Sequence, residues 1–102
     1  MADRERRVVW TDAALAALED VLEYIAADSP RSARHVGEQA IAAGDSLATL
    51  SERGRIVPEI GDPNVREIFV FRYRLMYELT ANEARIIAFV HGSRDFDQLQ
   101  RR

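Results

Sequence analysis

The hydrophobic period of this chain changes once, and that change bounds the folds open to it. From residue 11 to about 51, apolar residues recur every three or four positions; from 65 to 91 they recur every two. The first spacing writes one face of a helix and the second one face of a strand. Leu15, Leu18, Leu22 and Ile25 make the first helical face, with Glu19, Asp20, Glu23 and Asp28 around it. A short β-prone run, 6–10, precedes it, and Thr11-Asp12 starts the helix. Ser29 and Pro30 interrupt the pattern as an N-cap and a first helical residue. The second helix is expected from about Pro30 to Ser51, with Val36, Ala40, Ala43, Leu47 and Leu50 as its seam. So short a link folds the two helices back as an antiparallel hairpin, and Ala33, Ala40, Ala43 and Gly44 let the backbones approach closely.

Residues 53–65 carry two glycines and two prolines and read as a loop. Three strands are expected after it, at 65–71, 73–80 and 84–91, joined around Arg72 and at 81–83 as an antiparallel meander. In the second of these, Leu75, Tyr77 and Leu79 share one face, and Arg74, Met76 and Glu78 the other. The third is apolar on both faces, Ile86, Ala88 and Val90 against Ile87, Phe89 and His91, which suits a central strand or one covered on both sides. The fold class is therefore α+β: an N-terminal strand, a helix hairpin, then the meander, with the helices on one face of the sheet. The other face is left to the short polar tail, 95–102, or stays open to a partner.

A chain of 102 residues is expected to form a single domain, 1–102. Without cysteine it can form no disulfide, zinc–thiolate site or catalytic thiol, and two histidines far apart, His35 and His91, argue against a metal. No cofactor is expected. No run approaches the roughly 18 apolar residues of a membrane span, and the polar start is no signal peptide, so a cytoplasmic protein with no membrane partner is expected. A net charge of −3 argues against a general nucleic-acid binder. It conceals a gradient: 7 arginines against 12 acids in residues 1–64, and 7 against 5 in residues 65–102. All 14 basic residues are arginine, so no lysine proton donor exists.

Four stretches in order carry a family likeness: VVWTDAALAALEDVLEYIA, SPRSARHV, GRIVPEIGDPNVREIFVFRYRLMYEL and IIAFVHGSRDF. With them the chain resembles, over almost its whole length, the RelE/ParE superfamily of bacterial toxins from type II toxin–antitoxin modules. The glycine-containing loop, the R-E pair, Y-R-L-M-Y and H-G-x-R-D look most like the ParE branch. RelE-like members bind the ribosomal A site and cleave mRNA, whereas ParE-like members poison DNA gyrase and lack the nuclease residues. Both are neutralised by an antitoxin that wraps an extended or helical segment around the toxin. For this chain the resemblance implies a growth-inhibiting toxin of a bacterial stress response, directed at gyrase by protein–protein contact without a chemical step. It implies a ParD- or RelB-like cognate antitoxin, with operator DNA reached only through that antitoxin. Arg66, Arg72, Arg74, Tyr77, Phe89 and Arg94 are the implied contact residues. The alternatives are a ribosome-dependent mRNA endonuclease, or a non-toxic relative that only binds its partner.

Fold alone does not decide between these, so the residues are weighed one by one. Cleaving RNA through its own 2′-hydroxyl needs a base, an acid and cations on the phosphate. Arg66, Arg72, Arg74 and Arg94 could hold the phosphate, and His91, with a reference pKa of about 6.5, could move the proton. Against this, His91 continues the alternation Ile87, Phe89, His91 and can simply cap an apolar face. Gly92 is expected to supply a turn conformation strained for other residues. Ser93 has no base beside it, and Arg94-Asp95 reads as a local ion pair worth under about 1 kcal/mol. The stretch 89–96 therefore reads as a strand end and turn before it reads as an active site. Arg66-Glu67 and Tyr73-Arg74 read either as solvated edge positions or as anchors for an acidic partner. His35 is expected at the surface and Trp10 in the core, and Gly61-Asp62-Pro63 is a turn and not a phosphate cradle.

Overall fold

The computed structural model describes residues 5–93. Its elements run β1 (Arg7–Trp10), α1 (Asp12–Ala26), α2 (Pro30–Ser46), β2 (Arg55–Ile56), β3 (Val65–Val70), β4 (Tyr73–Leu79) and β5 (Glu83–His91). The sheet order is β1-β5-β4-β3-β2, with β1 parallel to β5 and every other pair antiparallel. This is the expected α+β architecture, and β5 is an inner strand, which explains its apolar residues on both faces.

Both helices begin where the capping residues stand. Thr11 Oγ1 accepts from the Ala14 N–H at 3.1 Å and donates to the Ile86 carbonyl at 2.9 Å, so the cap of α1 is also tied to β5. Ser29 Oγ accepts from the Ser32 N–H, with Pro30 in the first turn. The end of α2 comes earlier than the periodicity suggests. The Ser46 hydroxyl donates to the Ala43 carbonyl, and the Leu47 and Ala48 N–H groups bond three residues back, tightening the last turn. Leu47 thereby enters the core while Leu50, assigned to the same seam, is left 53% exposed.

The main core lies between the helices and one face of the sheet. Ala14 and Leu18 of α1 and Ala40 of α2, with Leu47, meet Leu75, Tyr77 and Leu79 of β4 and Ile86 and Phe89 of β5. Small residues allow the close approach: a Cβ on Gly44 would lie 3.0 Å from Ile86 Cδ1 and 3.2 Å from the Trp10 ring. Trp10 is partly buried against this core, as expected.

Strict alternation fails in β5. Tyr77 pairs with Ile86 but Met76 pairs with Ala88, so Ile87 is an extra residue, a β-bulge. Ile86 and Phe89 consequently share the helix-side core, while Ile87, Ala88 and Val90 pack on the other face. That second face is covered by part of the segment that reads as loop. Val57, fully buried, and Ile60 pack on Val65 and Met76, held by the Val57 N–H on the Val65 carbonyl at 3.1 Å. The two-residue strand β2 opens this segment and was invisible among its glycines and prolines. The tail at 95–102 falls outside the described residues.

Two turn residues also depart from expectation. Gly92 is not in the left-handed region; its N–H donates to the Arg72 carbonyl at 2.6 Å, and a Cβ there would stand 3.0 Å from that oxygen. The left-handed residue is instead Phe71, at φ +55°, in the link between β3 and β4. For a bulky side chain that conformation costs roughly 1–2 kcal/mol.

Gly54 is the most closely packed of the glycines. Its N–H donates to the Tyr77 hydroxyl at 3.0 Å, that hydroxyl donates to the Ser51 carbonyl at 2.8 Å, and an added Cβ would lie 2.6 Å from the Glu67 carbonyl oxygen and 2.7 Å from the phenol oxygen. Gly54→Ala is expected to lower the unfolding free energy by about 2 kcal/mol or more, through the displaced backbone and the broken phenol bonds. Urea unfolding measures this, and a change within about 0.5 kcal/mol would show that the segment shifts freely.

Candidate functional site

The strongest cluster of charge in the fold is one the sequence reading did not assemble. β3 places Glu67 opposite Met76 of β4, and Arg74 two residues back on β4 shares that face. Glu67 is 1% exposed and Arg74 is 4% exposed. Arg74 Nε donates to Glu67 Oε1 and Arg55 Nε to Glu67 Oε2, both at 2.6 Å. The other end of the Arg74 guanidinium clasps Glu59 with two bonds of 3.0 and 2.8 Å. The result is an alternating row, Arg55, Glu67, Arg74, Glu59, that ties β2, β3, β4 and the covering segment together. The Arg55 guanidinium also lies over the Phe69 ring, 5.1 Å from its centre.

The contact residues named from the sequence therefore divide. Arg74, Tyr77 and Phe89 lie in the interior: Arg74 between two carboxylates, Tyr77 bonded to Ser51 and Gly54, and Phe89 stacked on Tyr73 at 5.3 Å. In this conformation they offer a partner almost no surface. Burial pushes the Tyr77 phenol above its ordinary pKa, with the Gly54 N–H opposing. Arg66 is half-buried and spends its donors on the carbonyls of Pro63, Gly54 and Glu52. Arg72 stands exposed at the β3–β4 link. Arg94 falls outside the described residues.

His91 ends β5, exposed, with its ring edge-on to Tyr73 at 5.5 Å. Its Nδ1 accepts from the Ser93 N–H at 3.2 Å and lies 2.8 Å from Ser93 Oγ. That geometry puts the proton of the neutral ring on Nε2. The fold also brings Asp20 of α1 to the depression of about 390 Å³ that His91 and Tyr73 line. His91 and Arg74, however, do not meet. Tyr73 and Arg74 point to opposite faces of β4, His91 rests on Tyr73, and Arg74 is buried with Glu67 on the other side. The sheet stands between the two groups that a shared phosphate would need.

A groove of about 980 Å³ runs along the hairpin, lined by Leu15, Leu18 and Leu22 of α1 and Ala33, Gly37 and Ile41 of α2. Leu15 and Ile41 remain 41% and 43% exposed in it. Its rim is mainly acidic, with Glu19, Glu23, Glu38 and Asp45 against Arg34. Heptad-like apolar spacing signals this face in the sequence, but reads there only as core.

The row of charges gives a pH dependence with a definite sign. The Arg74 guanidinium holds the Glu59 carboxyl below its ordinary value of 4.5, against a smaller opposing effect of burial. A depressed carboxyl stabilises the fold above its unfolded pKa, and that stabilisation is lost as pH falls through the lower folded value. Glu59→Gln should therefore cost on the order of 1 kcal/mol near neutral pH, after solvent screening. It should also flatten the loss of stability between about pH 5 and pH 3. Urea unfolding of both proteins at several pH values tests this; parallel pH profiles would remove Glu59 from the row.

Residues 8–96 match the family described as ParE toxin of type II toxin-antitoxin system, parDE. Over 89 residues the chain is 34% identical to the curated protein Toxin RelE2 of Caulobacter vibrioides, a match covering 86% of this chain and 97% of that one. Its fold is similar to that of a chain in the chromosomal ParDE TA system from P. aeruginosa, with a TM-score of 0.70 at 17% identity over 87% of this chain and 98% of the other. Sequence and fold agree with the resemblance carried by the four stretches above, and the chain belongs to the ParE toxin family of type II toxin–antitoxin systems.

Proposed function

We propose that this toxin acts by binding and not by cleaving, that its target is DNA gyrase, and that a cognate antitoxin restrains it by filling the hairpin groove. The observation that carries the reading is the groove: two half-exposed apolar side chains, Leu15 and Ile41, over a floor of small residues and leucine. Such a face suits an amphipathic helix, which anchors through residues three and four apart and orders itself on binding. The acidic rim favours basic flanks on that helix, the opposite sign from a partner drawn to buried Arg74. Operator DNA is reached through the antitoxin. The ParDE name of the P. aeruginosa relative supports an antitoxin partner.

Gyrase over the ribosome is supported by the placement of His91 and Arg74 on opposite faces and by the family. A ribosome-directed nuclease would have to rely on exposed His91 with cations from elsewhere.

Three outcomes follow. Leu15→Glu with Ile41→Glu should weaken antitoxin binding by about 100-fold, on the scale of roughly 3 kcal/mol for central apolar anchors, with the thermal melt little changed. Unchanged affinity by calorimetry would move the antitoxin off the groove. After induction without antitoxin, pulse labelling should show DNA synthesis stopping before protein synthesis; the reverse order would replace gyrase by the ribosome. His91→Ala should still arrest growth, and loss of toxicity in a folded variant would restore His91 as a catalytic group.

A further inference from the structure

Most arginines of the described chain are engaged. Arg6 and Arg66 donate to carbonyls, Arg53 to Ser46, and Arg7, Arg55, Arg74 and Arg85 pair with carboxylates. Among the described residues Arg31, Arg34 and Arg72 have no such partner. They are not scattered. Arg31 and Arg34, on the first turns of α2, line a depression of about 490 Å³ with His35, Phe71 and one acid, Glu38, and Arg72 follows Phe71 directly. An ordinary surface arginine finds a carboxylate easily on a chain with 17 acids, so unpaired cations gathered at one end need a reason.

The same end carries an exposed aromatic ring. Phe71 is 55% exposed there, whereas Phe69, 50% exposed, lies under the Arg55 guanidinium on the other face of the sheet. Phe71 lies 5.2 Å from the His35 ring and lines a second depression, of about 270 Å³, with Phe69 and Arg53. Phe71 is also the described non-glycine residue at positive φ. A strained backbone that leaves its side chain half in water gains nothing from the core, and strain of this kind gathers where a side chain is held out for use.

We infer that the β3–β4 tip and the start of α2 form a binding face for an unpaired nucleotide strand. Phe71 stacks on a base while Arg31, Arg34 and Arg72 neutralise phosphates. Sequence-tolerant stacking next to cations suits a single strand; duplex bases are already stacked on one another. An acidic peptide would meet the guanidiniums but would leave the exposed ring without a partner. The face adjoins the groove at Arg34 and Glu38, and the inference holds whether the toxin's target carries DNA or RNA. The net charge of −3 keeps this binding weak unless another contact brings the strand close.

The test is fluorescence anisotropy of labelled oligothymidylate and oligouridylate, about a dozen nucleotides long, with the full chain between about 50 and 200 mM salt. Three phosphate contacts on a single strand give a log–log salt slope of about −2. Replacing Arg31, Arg34 and Arg72 together by glutamine should reduce affinity at least about tenfold and flatten the slope. Phe71→Gly adopts the same φ without strain, so the fold is kept; it should weaken binding about tenfold while leaving the slope alone. Binding of one oligonucleotide better than the other identifies the strand as DNA or RNA within the proposal. The proposal is overturned if neither oligonucleotide binds, if both variants bind like the parent, or if polyglutamate of similar length binds more tightly than either strand.

Discussion

The carboxylate of Glu67 is the point on which the second face of the sheet depends. Removing it from water costs several kcal/mol, and only close, well-aligned partners offset that. Arg74 and Arg55 supply them from β4 and β2, each at 2.6 Å. Arg74 is in turn satisfied only because Glu59 reaches back from the covering segment. Each member is thus required by the next, and the segment that carries Val57 and Ile60 over Met76 cannot leave without uncovering a buried ion pair. Truncating one partner of such a pair typically costs about 3–5 kcal/mol, much more than the contact is worth on balance. Its role is to fix one arrangement of the strands and the covering segment.

That constraint redistributes what the arginines can do. Arg66 and Arg74, two of the four cations that looked ready for a phosphate or an acidic partner, are spent on carbonyls and carboxylates of the chain itself. Among the described residues, the arginines left without a carboxylate or carbonyl partner lie at the β3–β4 tip and the start of α2. A catalyst needs its base and its cations on one substrate atom, whereas a binding protein needs only faces of suitable chemistry. The fold keeps His91 and Arg74 apart while leaving an apolar groove on one side and a cationic, aromatic end on another.

Much of this was legible in the sequence. Ser29-Pro30 marked the helix hairpin, and the alternation of 73–79 put Leu75, Tyr77 and Leu79 on one face, which is the face that packs on the helices. The misses have local causes. Ser46 took the Ala43 carbonyl and ended α2 early, which no apolar period records. One extra residue at Ile87 shifted the face of everything after it relative to Ile86, and a bulge leaves no mark in a run apolar on both sides. The partners of Arg74 were partly accessible. A two-residue link at Phe71-Arg72 sets Glu67 opposite Met76, hence on the face of Arg74; only Glu59, arriving from a segment without period, could not be placed. Gly92 was read as a matter of φ, but the constraint there is closeness to Arg72.

The two candidate faces share two residues, Arg34 and Glu38. Arg34 lines the hairpin groove and also the depression beside Phe71, on successive turns of α2 with Glu38. A helix seated in the groove with basic flanks would crowd Arg34 with like charge, whereas one carrying an acid at that point would pair with it and draw it from the anion face. In either case occupancy of one face changes the free energy of the other, and linkage makes the change equal in both directions. Both shared charges, Arg34 and Glu38, are exposed and each is worth under about 1 kcal/mol, so they can tune the balance between two partners but cannot make them exclusive. Exclusion would have to come from a restraining segment long enough to pass beyond the groove and cover Phe71 itself.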